Sequence, residues 1–144
     1  MNRTWLIAAL ASTLLVAGCA TKKGFEQAGF AFGCPIGEAK VASMDDLVKA
    51  KVVSEGRRTT IEATEVRCSK SGDLMRIDAN LNNDSRSVKR IAYKFRWMDR
   101  EGMRAWEEEA WKPLLMHENS NLVVNTIAPT NKAADFRLIL RSEE

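Results

Sequence analysis

From Arg58 onward, apolar and polar residues alternate with a period of two. Met75, Ile77, Ala79 and Leu81 alternate with Arg76, Asp78 and Asn80, which predicts a half-buried strand with one apolar face. Ser71-Gly72-Asp73 before it and Asn82-Asn83-Asp84-Ser85 after it are turn clusters. The strongest alternation follows: Ile91, Tyr93, Phe95 and Trp97 on one face, Arg90, Ala92, Lys94 and Arg96 on the other. Asp99-Arg100-Glu101-Gly102 then reads as a reversal. Weaker alternation predicts strands over 59–68, 103–110, 122–127 and 134–141, with Pro113 and Pro129 falling between runs. Upstream, Ser43-Met44-Asp45-Asp46 can cap a short helix through Lys51, whereas Val52-Val53 can open a first strand. The pattern leaves both open.

About seven short strands with turns between them predict an all-β fold, an antiparallel β-sandwich over residues 38–144. Alternation, in place of continuous apolar runs, argues against a parallel α/β sheet. No repeat is visible that would suggest a solenoid or propeller.

The N-terminus breaks this pattern. Met1-Asn2-Arg3 is a short positive region, and Trp5 to Ala17 carries no charge. That apolar run is too short to span a bilayer comfortably as a permanent helix, which needs about 20 residues. It ends in Leu15-Val16-Ala17-Gly18-Cys19, small residues followed by cysteine, and so resembles a bacterial lipobox. The expectation is a signal peptide over 1–18, lipidation at Cys19 and a membrane anchor. Three acyl chains, at about 0.8 kcal/mol per buried methylene, hold effectively permanently. Ala20, where sorted lipoproteins kept at the inner membrane carry Asp, favours the periplasmic face of the outer membrane. Residues 19–37 form a tether and a Gly/Phe-rich arm with Phe25, Phe30 and Phe32. The arm's aromatics are expected on the protein's own domain; the alternative is an adhesive arm for a partner or the lipid headgroups.

Cysteine usage adds to the picture. With Cys19 lipidated, Cys34 and Cys68 are an even number in an oxidising compartment, and a disulfide is their natural pairing. Closing a loop of about 35 residues would stabilise by roughly 3–4 kcal/mol in the chain-entropy model. Two free thiols and a catalytic cysteine are the alternatives. The sole histidine, His117, has no motif around it. One histidine and three cysteines leave no His-rich or four-ligand zinc module, so neither metal nor cofactor is expected. A formal charge of +3, together with the envelope address, argues against nucleic acid.

No glycine-rich phosphate loop, Gly-x-Ser-x-Gly elbow or His-Glu-x-x-His helix is present, and no catalytic residue is assigned. Glu107-Glu108-Glu109 lies between Trp106 and Trp111, the residue types of a sugar-cleaving or glycan-binding site. Adjacent residues on a strand point to opposite faces, so the triplet alone cannot form a catalytic pair; a solvated edge or loop is the plainer reading. Arg90, Lys94 and Arg96 form a basic stripe by the period-two rule. It could contact acidic partners, peptidoglycan carboxylates or lipid A phosphates, or simply be a solvated strand face.

The segment from Tyr93 to Gly102, with its Tyr-x-Phe-x-Trp core, resembles the YcfL family of small bacterial lipoproteins. The likeness runs over about 58–141, through Asn80-Leu81-Asn82-Asn83, Trp111, Leu114, Ala128-Pro129 and Phe136-Arg137-Leu138. It implies an immunoglobulin-like β-sandwich at the outer membrane, with no enzymatic activity to carry over. The expected function is non-catalytic: binding another envelope protein or supporting envelope and cell-wall assembly. The alternative is a peptidoglycan- or glycan-binding module built on Trp106, Trp111 and the nearby carboxylates.

Overall fold

The computed structural model describes residues 29–143; the leader, Cys19 and Phe25 lie outside them. Along the chain, the elements are β1 (Phe30–Ala31), β2 (Cys34–Pro35), α1 (Met44–Lys51), β3 (Val52–Ser54), β4 (Glu62–Ser71), β5 (Leu74–Asn83), β6 (Lys89–Met98), β7 (Lys112–Met116), β8 (Ser120–Ile127) and β9 (Asp135–Ser142). Seven strands make two layers, one ordered β3-β9-β6-β7 and the other β4-β5-β8, while β1 and β2 form a separate small hairpin. The fold is an all-β sandwich.

The two strongest alternations sit where they bury most. The inner face of β5 carries Ile77, Ala79 and Leu81, opposite Phe95 and Trp97 of β6 and Phe136, Leu138 and Leu140 of β9, all in one buried cluster. Phe95 stacks on Trp97 with centroids 5.8 Å apart, and Phe136 lies tilted 6.3 Å from each. Burying each such side chain contributes about 1.5–3 kcal/mol, and that is the main force joining the layers.

Residues 43–53 realise both options in turn. Ser43 Oγ accepts from the Asp46 N–H and the Asp46 carboxylate accepts from the Ser43 N–H, a capping box that starts α1. The β-branched pair Val52-Val53 then leaves the helix and pairs with Leu138 and Ile139 of β9. This pairing is parallel, a departure from the all-antiparallel expectation confined to a three-residue strand. Lys51, almost fully buried, reaches Asp135 at 2.5 Å. Burial pushes its pKa down, and the Asp135 carboxylate opposes that shift.

Two elements depart from the sequence reading. Residues 103–110 are not a strand: only an isolated bridge between Met98 and Arg104 forms there. The Glu107–Glu109 run offers no alternating apolar face to bury, so nothing holds the segment in a sheet. Pro113, read as an interruption, instead lies within β7 opposite Ala92. Since β7 is an edge strand, the missing N–H costs little there.

Candidate functional site

The outer face of β6 and β9 carries the basic residues singled out from the sequence. Register places Ala92 beside Arg141 and Lys94 beside Ile139. Arg90, Lys94 and Arg96 do not form one exposed stripe, however. Lys94 is only 5% exposed. Its ammonium donates to the Glu108 carboxylate and lies 4.3 Å from the centre of the Trp111 ring. The Arg141 guanidinium lies 4.2 Å from the same ring. Arg96 stays half exposed, 4.0 Å from Glu108.

The reason is the chain between β6 and β7, which folds back over this face. Each cation over the Trp111 ring contributes about 0.5–2 kcal/mol, more where water is excluded. The hydrogen bond from Lys94 holds the Glu108 carboxyl below the usual carboxylate range, with Arg96 and Arg104 adding to the effect. An alternating basic face thus became a lid contact.

Glu109 has a different task. Pairing between β6 and β7 ends at Tyr93 and Lys112, which leaves the Phe95 N–H without a strand partner on that side. The Glu109 carboxylate accepts from the Phe95 N–H at 3.3 Å, from the buried Trp97 Nε1–H at 2.9 Å and from Lys112 Nζ at 3.1 Å. It finishes the ladder that β7 abandons. Glu107 is exposed, and Trp106 is 46% exposed. Two of the three carboxylates are therefore committed to structural hydrogen bonds. The ring of Trp111 is taken by two cations, so this cluster offers no open stacking platform beside a free carboxylate pair.

Cys34 and Cys68 are joined, with Sγ atoms 2.06 Å apart. The bond ties the β1-β2 hairpin to β4. His117 contributes its backbone: its carbonyl accepts from Asn83 Nδ2 at 2.8 Å and Ser120 Oγ at 2.6 Å. The buried Asn83 side chain also donates to the Ser87 and Met116 carbonyls and accepts from Ser85, so one amide pins two neighbouring turns. Among the described residues, no group of three His, Cys, Asp or Glu could hold a metal. No helix among them is long and apolar enough to cross a membrane.

The sequence reading expected an open strand edge as a template for a partner, without saying which strand supplies it. Edge β3 has three residues, and β7 has five with Pro113 among them. Edge β4 has a register shift between Ala63 and Glu65, with α1 and the disulfide-bound arm against it. Among the described residues, edge β8 has none of these protections. Its eight residues, Ser-Asn-Leu-Val-Val-Asn-Thr-Ile, pair with β5 in unbroken register and include no charge and no proline. Val123 is 54% exposed, and Leu122 and Ile127 are exposed as well. Natural sheets blunt such edges, because an unpaired row of N–H and C=O groups is a template for another strand.

A family model described as protein of unknown function, DUF1425, matches residues 48–142. The chain belongs to the DUF1425 family. The DUF1425 match starts inside α1 and ends with the last residue of β9, so it holds the seven sandwich strands and Cys68 but leaves out the arm and Cys34. The fold is similar to that of the Campylobacter jejuni protein cj0090, with a TM-score of 0.56 at 20% identity over 65% of this chain and 98% of that one. It is also similar to a DUF1425 family member from Shewanella sp. pv-4, with a TM-score of 0.54 at 24% identity over 58% of this chain and 79% of that one. No curated protein matches.

Proposed function

We propose that this DUF1425 protein is a non-catalytic, YcfL-like lipoprotein, anchored through Cys19 on the periplasmic face of the outer membrane. It binds another envelope protein by accepting a strand along β8. The observation that carries this reading is the bare β8 edge: eight uncharged residues in regular register with exposed Leu122, Val123 and Ile127. In strand addition, backbone hydrogen bonds supply affinity and alternate side chains supply choice of partner. The lipobox-like Leu15 to Cys19 supports the anchor. Peptidoglycan binding through Trp106 and Trp111 is the weaker reading, because Lys94 and Arg141 already occupy the Trp111 ring.

Photocrosslinking in a diderm bacterium tests the proposal. A photoreactive residue at Asn121, Val123 or Asn125 of the full-length chain should give one discrete protein adduct. Val123→Lys should reduce the adduct formed from Asn125 several-fold, while Arg90→Glu should leave it intact. Undiminished capture in Val123→Lys, or no adduct from any of the three positions, overturns strand addition. Retention of fatty-acid labelling in Cys19→Ser overturns the anchor. Glycan hydrolysis by the purified protein that disappears in Glu107→Gln overturns the non-catalytic reading.

A further inference from the structure

Of the arm's aromatics, Phe25 lies outside the described residues, and Phe30 and Phe32 rest only partly on the protein's own domain. Phe30 is 57% and Phe32 51% exposed, and the two line a common cleft with Ile36 and Val41. Small loops do not usually hold large apolar rings in water, since each forfeits the burial that would repay its ordering.

The hairpin is nevertheless held firmly. Cys34 is fully buried and bonded to Cys68. Gly33 passes so close to β4 that a Cβ there would sit 2.2 Å from the Cys68 carbonyl oxygen. Phe32 at φ 52 and Gly33 at φ 79 form the turn between β1 and β2. A bulky aromatic in the left-handed region is uncommon, because its Cβ crowds the backbone, and it persists only where the surroundings impose it. The arm is a rigid mount that presents Phe32 at its tip and Phe30 beside it.

We infer that Phe30 and Phe32 insert into the lipid interface next to the anchor. This inference rests on Cys19 carrying the lipid. Gly29 follows Cys19 by about ten residues, a reach of at most ~36 Å even fully extended, so the hairpin cannot stray far from the bilayer surface. Lys22, Lys23 and Glu26 lie in that stretch, one positive charge in net, and Lys40 and Glu38 both line the aromatic cleft. Cations beside aromatic side chains suit a surface with anionic headgroups above acyl chains. A lipid anchor alone leaves the domain free to rotate. Two inserted rings on a disulfide-fixed mount set its orientation, with the β8 edge held at a defined attitude to the membrane.

The test replaces Phe30 or Phe32 of the full-length chain with p-benzoylphenylalanine, with Val123 replaced likewise as a control. Cells are irradiated, and adducts are identified by mass spectrometry alongside fatty-acid labelling of the same sample. Phospholipid adducts several-fold more abundant at 30 and 32 than at 123, in labelled protein, are expected. Labelled protein whose adducts at 30 and 32 are to another protein, or to lipid no more than at 123, overturns insertion and leaves the anchor standing. Unlabelled protein overturns the anchor, and the inference falls with it.

Discussion

The outer face of the four-stranded sheet and the free edge of the three-stranded sheet make opposite use of their composition. The first is rich in charge: Lys94, Arg96 and Arg141 face a segment carrying Glu108 and Trp111. The second has no charge at all. Charge is the usual sign of a surface open to water, yet Lys94 is buried and Val123 is open. A charged side chain with a precise partner can lie under a lid, whereas an uncharged edge strand has no device of its own to repel another strand.

The sharpest way to break that contrast is to remove the lid's attachment. Glu109→Ala should leave the buried Trp97 indole N–H and the Phe95 N–H without an acceptor, costing about 3–5 kcal/mol for the two donors, read as a lower urea midpoint. Reversing the charge in Lys94→Glu should cost about 2–4 kcal/mol, since it sets a buried carboxylate against Glu108. Lys94→Met should lose far less. An equal loss in Lys94→Met would mean that the ion pair itself, and not the absence of an unpaired charge, holds the lid.

Acid should loosen the lid before the core. Glu108 has a lowered folded-state pKa, so its contribution to stability is present above the unfolded value near 4.3 and is lost as pH falls through the lower folded value. Tryptophan emission should therefore change below about pH 4, and the change should be absent from Glu108→Gln. The smallest effect on folding belongs to the open edge: Val123→Lys should shift stability by about 0.5 kcal/mol or less, seen as an unchanged thermal midpoint. A large loss there would show that the edge is part of the core.

Much of this architecture was legible along the chain. Period-two alternation located β4, β5, β6, β8 and β9 because each turns one face to the core, and a strand records that in every second side chain. β7 was not legible, since Lys-Pro-Leu-Leu-Met has no alternation and takes its place from pairing with β6. The segment 103–110 misled for the converse reason: its residues allow a strand, but pairing with β6 stops at the Met98–Arg104 bridge. The open β8 edge had a readable signal, eight residues with neither charge nor proline, although only the sheet order shows that the strand ends a layer.

The sequence by itself determined the layered β architecture, the aromatic core and the availability of Cys34 and Cys68 for one bond. These are properties of local pattern and residue chemistry, which do not depend on knowing neighbours in space. Tertiary structure alone decided that Lys94 lies under Trp111, that Glu109 serves Trp97, that Phe30 and Phe32 face outward, and that β8 is the bare edge. Each of those depends on which distant segment arrives at a given face, and burial is a property of that meeting, not of the residue.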